Sequence, residues 1–334
     1  MKIRHLNNIC ISFLAAVALA SCITADFTEC PNEYELKIVF DRNMLFADAF
    51  ASQVKSVDIK VFDSKTGREV YSFSDEGSSL EVEDYRISLP IPPGSYDILC
   101  WGGMAEGNSF GYVNPAADIL EHQNVCLNTE TGISDKKLNN LFHGLSKNVT
   151  FIDNNIIGSS EVQTHTVYLT KDTNRVYVML HNLDGTELQE SNFMFSISSG
   201  NAEMSYDNTL EADRKVTYKP WDITPILTET DISGHPVKSA LAAELSIGRL
   251  MTKADSRLDI YRVSDGERII SIPLERNLLL YKGRHYDYMT DQEYLDRQDD
   301  YAITFILDKN NNWDKAAMIY INNWATPPVQ YQEW

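Results

Sequence analysis

An all-β chain built as two β-sandwich domains in tandem is the architecture the sequence predicts, on three observations. Runs of alternating apolar and polar residues recur from Leu36 to Trp324, the period of strands with one buried face. Turns rich in Gly, Pro, Asn and Asp separate these runs at the spacing of short sandwich strands. Helical periodicity is sparse, and a polar, Gly-containing stretch at 153–160 (DNNIIGSS) divides two series of strands. The 334 residues are enough for two modest cores, placed at 34–156 and 157–334.

The elements follow in order. Leu36, Ile38 and Phe40 alternate with Lys37, Val39 and Asp41. Val57, Ile59 and Val61 alternate with Asp58, Lys60 and Phe62, the segment 63–67 (DSKTG) turns the chain, and 70–73 returns as a hairpin. Tyr85, Ile87 and Leu89 form the next strand; Pro92-Pro93-Gly94 interrupts the chain before the run 96–101, because proline presets φ and glycine allows a tight turn. Residues 165–169 lead through 171–174 into 176–180, which would place His165 and His181 at the flanks of one hairpin. Phe193, Phe195 and Ile197 alternate next. Leu258 and Ile260 pass through Ser264-Asp265-Gly266 to Ile270, Ile272 and Leu274. Ile303, Phe305 and Leu307 precede the turn 308–312 and a last strand over 318–324. Short helices are predicted at 116–123, behind Pro115, at 135–142 and at 291–298.

The first 21 residues are an address. Lys2 and Arg4 precede an apolar stretch at 11–20, which is too short to span a bilayer and reads as a secretory signal peptide. It ends in Leu19-Ala20-Ser21-Cys22, similar to the bacterial lipobox, in which small residues fit the peptidase and the Cys thiol accepts a diacylglyceryl group. Cleavage between Ser21 and Cys22 would leave Cys22 as the acylated first residue and 22–33 as a polar tether. Two or three acyl chains together hold a protein on a membrane for practical purposes permanently. Cys10 leaves with the leader. Cys30, Cys100 and Cys126 remain beside Cys22, allowing at most one internal disulfide, with the pairing open. Cys100, in an apolar run, reads as a buried structural thiol.

Composition and motifs exclude several functions. The formal charge is −19, and losing the leader removes Lys2 and Arg4 but no acid, giving −21. Such a chain repels nucleic acid and has no polybasic membrane dock. No GxSxG, HExxH, P-loop or GxGxxG occurs, so no catalytic constellation is expected, and no cofactor. The cysteine and histidine spacings match no metal site. The acidic pairs Asp75-Glu76, Glu83-Asp84 and Asp299-Asp300 read as solvated turns. The turn 308–312 lacks the Gly and terminal Glu of a calcium loop. Trp101 ends a strong strand run and is expected in a core; Trp221 and Trp334 are the indoles a sugar could reach.

These pieces together resemble one family. The matching stretches are the lipobox at Cys22; Glu29-Cys30-Pro31; 57–63 (VDIKVFD) with Gly67; and 89–103 (LPIPPGSYDILCWGG). They continue with Leu141-Phe142-His143-Gly144; 167–178; Gly248-Arg249-Leu250; 257–260; 292–297 (QEYLDR); and 319–324 (IYINNW). They resemble the FimB-like fimbrial anchor subunits of the Bacteroidales, which serve type V pili. The resemblance implies two transthyretin-like β-sandwich domains, no catalysis, and a lipoprotein carrying palmitate-type acyl chains on the cell outer membrane. The implied partners are fimbrial shaft subunits, joined by strand addition. Cys100 and Cys126 depart from the family's pattern.

Two functions follow as expectations: a lipid-tethered anchor that holds a fimbria and limits its length, or a surface glycan-binding lipoprotein working through exposed aromatics. In shaft subunits, the resemblance implies, proteolysis at an Arg removes the first strand and opens a groove for a neighbour's strand. Here Arg42 follows the first strand, and cutting there would separate the body from Cys22. Residues 36–40 are therefore expected to stay and fill the groove. The coupling strand is then expected at the other end: Pro327-Pro328 stops the last strand, and Val329, Tyr331 and Trp334 lie along an extended tail.

Overall fold

The computed structural model describes residues 32–326 except 106, 108, 159, 160, 183, 212, 213, 228, 231–235, 238, 315–318 and 323. The first sandwich opposes two sheets. One has three strands, β1 (Tyr34–Val39) between β4 (Arg86–Ser88) and β10 (Gln163–Tyr168). The other has five, in the order β11 (Thr170–Lys171), β9 (Phe142–Phe151), β5 (Gly94–Gly102), β2 (Ser56–Asp63) and β3 (Glu69–Glu76). Leu36, Ile38, Ile87 and Val167 face Ile59, Val61, Ile98, Cys100, Val149 and Phe151 across a dry core. The β2–β3 turn forms because Asp63 Oδ1 accepts from the backbone N–H groups of Lys65 and Thr66, and Gly67 takes φ +68°.

The second sandwich is larger. Its six-stranded sheet runs β16 (Asp222–Ile226), β19 (Ala240–Gly248), β12 (Thr173–Asn182), β22 (Asp300–Leu307), β23 (Ile319–Ile321) and β24 (Trp324–Thr326). Opposite it lie β21 (Arg268–Pro273), β20 (Arg257–Arg262), β13 (Phe193–Ser199), β15 (Val216–Tyr218) and β8 (Ile133–Ser134). Val178, Leu180, Ala243, Leu245, Ile303 and Phe305 meet Phe195, Ile197, Leu258, Ile260 and Ile272 in its core. A small sheet of β6 (Phe110–Tyr112), β7 (Val125–Leu127) and β14 (Glu203–Met204) and a hairpin of β17 (Glu229–Thr230) with β18 (Pro236–Val237) complete the strands. The helices are α1 (Phe50–Gln53), α2 (Asn154–Ile157), α3 (Leu274–His285) and α4 (Asp291–Arg297).

The sheets do not divide at 156/157. β10 lies beyond that point yet pairs in parallel with β1 over six residues, because β1 is a central strand and needs a ladder on each edge. The change of sandwich falls at Asp172, between β11 and β12. The excursion between β5 and β9 crosses the other way: β8 joins the second sandwich, and Phe110, Leu120, Val125, Leu127 and Leu138 enter its core. His165 and His181 accordingly sit in different sheets rather than on one hairpin.

The helices differ from expectation too. Residues 135–141 are not helical, and 116–123 contains only a 3-10 turn at Leu120–His122. α4 is present, capped by the Thr290 hydroxyl accepting from Glu293 N–H. Leu274 continues in sequence the alternation of Ile270 and Ile272, yet it is the first residue of α3. Pro273 ends that ladder, and Leu274 and Leu278, one turn apart, are buried.

Trp101 is fully buried, as expected. Its indole N–H donates to Gln123 O at 3.2 Å and its ring meets His143 edge-on at 4.6 Å. Just beyond it the chain requires glycine. Gly103 has φ +86°, and a Cβ there would lie 1.9 Å from Asn140 O. Trp101→Ala should lower unfolding free energy by about 3–5 kcal/mol. Gly103→Ala should cost on the order of 3 kcal/mol through backbone displacement. Denaturant titrations of both variants check these values.

Candidate functional site

Three places in the described structure bear on function: the two ends of the chain and the joint between the sandwiches. At the N-terminal end β1 is the middle strand of its sheet, antiparallel to β4 and parallel to β10, with Leu36, Ile38 and Phe40 buried. Residues 36–39 are thus held within the sheet by ladders on both edges. Arg42 follows on an exposed loop, donating to Thr170 Oγ1 at 3.3 Å. Ser21, Cys22 and Cys30 lie outside the described residues. Cys100 and Cys126 are free thiols, and burial pushes the Cys100 thiol well above its usual range. At the other end β24 forms the edge of the six-stranded sheet. Val329, Tyr331 and Trp334, beyond it, also lie outside the described residues.

The joint centres on Asp172. Its carboxylate is wholly buried; Oδ1 accepts from Asn208 Nδ2 at 3.0 Å and stands 3.5 Å from Arg249 Nε. Arg249 is buried as well. It donates to Asp296 Oδ1 through Nη2 at 2.8 Å and Nε at 3.3 Å, and through Nη1 to Asn208 O. Gln292, on α4, also donates to Asp296 at 2.9 Å. Two carboxylates thus share one guanidinium, Asp296 is the closer, and Asp172 Oδ2 has no hydrogen-bond partner among the described residues. Burial pushes the Asp172 carboxyl up to about 7, although Arg249 and Asn208 oppose the shift.

Three further contacts tie the sandwiches. Arg297 of α4 donates to Asp41 O at 3.1 Å and lays its guanidinium 4.5 Å from the centre of the Phe46 ring. Lys171 Nζ pairs with Asp299 at 2.5 Å. His143 Nε2 donates to Tyr206 O at 2.8 Å, and burial holds its imidazole down at about 4 despite that bond. The sequence marked these places without assigning them a role: Arg249 lies in the Gly248-Arg249-Leu250 match, and Asp296 and Arg297 in the match at 292–297. Asp172 lies in the match at 167–178, in a polar linker where an aspartate is ordinary.

A cleft of about 290 Å³ opens beside the joint, lined by Lys137, Lys171, Arg175, Trp221, Glu244 and Asp300. Trp221 is half-buried. Its indole N–H has no hydrogen-bond partner among the described residues, and the Lys137 ammonium lies 5.3 Å from its ring centre. Glu244 is buried, with one carboxylate oxygen lacking a hydrogen bond.

A family profile described as "Fimbrillin-A associated anchor proteins Mfa1 and Mfa2" matches residues 27–327. The chain belongs to this family. It is one of structural fimbrial anchor proteins, not of enzymes, and it places the chain among fimbrial subunits of the cell envelope. No curated protein sequence matches. Among solved structures, a proposed adhesin from Bacteroides thetaiotaomicron VPI-5482 is 31% identical, with TM-score 0.81 over 91% of this chain and 100% of its own. A proposed polysaccharide-binding protein from the same organism is 26% identical, with TM-score 0.74 over 90% and 99%. The fimbrial anchor protein Mfa2 from Porphyromonas gingivalis, 16% identical, shares the fold, with TM-score 0.69 over 90% and 100%. The all-β architecture expected from the sequence is thereby shared with a fimbrial anchor.

The titrations at the joint oppose each other. Asp172 binds a proton more tightly folded than unfolded, so its contribution is fully present at about pH 4 and is lost as pH rises through about 7. His143 binds its proton less tightly folded, so its contribution is present above about pH 6.5 and is lost as pH falls toward 4. Melting curves of Asp172→Asn should therefore gain on wild type as pH is raised from 4 to 8. Those of His143→Gln should gain as pH is lowered from 6.5 to 4.

Proposed function

We propose that this chain is the lipid-anchored terminal subunit that attaches a fimbria to the outer membrane and limits its length. Signal cleavage between Ser21 and Cys22 leaves Cys22 acylated, and the tether 22–33 leads from the lipid directly into β1. The observation that carries this reading is the place of β1. It is hydrogen-bonded on both edges in the interior of its sheet, and the residues before it lead back to Cys22. A shaft subunit must empty this groove to accept a neighbour's strand. A subunit whose groove stays occupied accepts none, and so ends the polymer.

Coupling to the first shaft subunit then falls to the C-terminal tail, with Val329, Tyr331 and Trp334 as the side chains of a strand added to that subunit's open sheet. Cys22→Ala should abolish acyl labelling and release the protein from membranes. Deletion of 329–334 should leave a folded, lipidated protein from which fimbriae are shed. Fimbriae retained at wild-type levels by the deletion variant would remove the tail from this role.

A second reading rests on the Trp221 cleft. An aromatic face beside an indole N–H and a Glu244 oxygen that both lack hydrogen bonds among the described residues, the latter 3.7 Å from Arg175 Nη1, is suited to a sugar ring, which offers apolar C–H faces and hydroxyls together. The similarity to a protein described as polysaccharide-binding supports it. Under this reading the chain is retarded in affinity gels containing its glycan, and Trp221→Ala migrates freely. Equal retardation of both proteins would discard the cleft as the binding site.

A further inference from the structure

The segment joining β9 to β10 reverses the usual disposition of polar and apolar side chains. Asn154 is completely buried and its backbone N–H donates to Asn32 Oδ1 at 2.8 Å. Gln163 clamps the same place, donating through Nε2 to Ile152 O at 2.6 Å and to Asn154 Oδ1 at 2.7 Å. The Tyr34 hydroxyl adds a bond to Ile152 O at 3.0 Å. Asp153 caps the short turn α2 by accepting from Asn155 N–H, and Gly158 at φ +63° closes it. With the polar residue pinned inward, Ile152, Ile156, Ile157 and Val162 project outward, at 40–79% exposure. Four aliphatic side chains are thus held out in solvent by a well-bonded frame. Isolated exposed apolar residues need no explanation, but a cluster held in this way marks a contact surface.

The position of the cluster indicates the occupant. Asn32, bonded to Asn154, is where the chain emerges toward Cys22, ten residues earlier. A ten-residue tether spans at most about 35 Å, so the lipid confines this end of the molecule near the bilayer. The opposite end of β1 is about 20 Å further away, at the strand rise per residue. Glu33, Asp153 and Glu161 flank the cluster in sequence, so contact would depend on apolar burial rather than on anionic headgroups.

We propose that Ile152, Ile156, Ile157 and Val162 form a membrane-contacting foot that seats the first sandwich on the lipid surface and orients the subunit. This rests on the lipid at Cys22 proposed above. The test uses the full-length acylated protein in vesicles of phosphatidylethanolamine and phosphatidylglycerol, with the photocrosslinking residue p-benzoyl-phenylalanine placed at Ile156, or as a control at Leu45 or Tyr288. Leu45 is highly exposed on the loop at the far end of β1, and Tyr288 is exposed on the second sandwich. Crosslinking to lipid should be several-fold stronger from 156 than from either control, and unchanged by high salt. Equal lipid yields at all three positions, or crosslinks from 156 only to protein, would overturn the foot. Acyl labelling is read separately on the same samples. A chain without label fails the lipid reading; a labelled, vesicle-bound chain without the 156 lipid adduct fails only the foot.

Discussion

The buried guanidinium of Arg249, held between Asp172 and Asp296, fixes how the two sandwiches meet. Asp172 is the residue at which the chain leaves the first sandwich for the second, Arg249 follows the end of β19, and Asp296 stands on α4. Each ion pays a desolvation cost of several kcal/mol, so the arrangement contributes little net stability, but removing one partner costs about 3–5 kcal/mol. That asymmetry favours a single geometry: any other docking of the domains strands a charge. The Arg297 contacts to Asp41 and Phe46 and the His143–Tyr206 bond extend the same joint over several elements.

Much of the fold was legible because each sandwich sheet has one dry face. Ile59 and Val61, Phe195 and Ile197, or Ile303 and Phe305 announce their strands through a period of two. What the pattern could not convey is partnership. β10 alternates as well as any strand, yet nothing local says that it pairs with β1, more than a hundred residues earlier, and this shifts the division of sheets from 156/157 to Asp172. β8 is too short to carry a period. β19 carries no clean period of two because its second face is also largely buried, with Glu244 and Ser246 in place of solvent-facing residues. α3 was hidden by Leu274, which serves two periods at once.

The candidate sites divide in the same way. The acylation proposed at Cys22 rests on a local motif, which can be read without a fold. The joint and the Trp221 cleft exist only after distant segments converge: Asp172, Arg249 and Asp296 are scattered over more than a hundred residues, and Trp221 meets Lys137 across two strand series. Their residue types are common on any acidic surface. Only burial distinguishes Asp172 from the many other carboxylates of the chain.

The central position of β1 has a mechanical consequence. Tension entering through the residues before Tyr34 acts along the strand axis, and the β4 and β10 ladders lie parallel to that axis on either side. Their hydrogen bonds are then loaded in shear and must fail together, whereas bonds loaded at the end of an edge strand open one at a time. The buried side chains of Leu36 and Ile38 would also have to drag through the core for the strand to slide. A chain pulled at this point resists as a unit, and the yielding element under traction is displaced toward the opposite end of the described residues, where β24 has one ladder among them to peel.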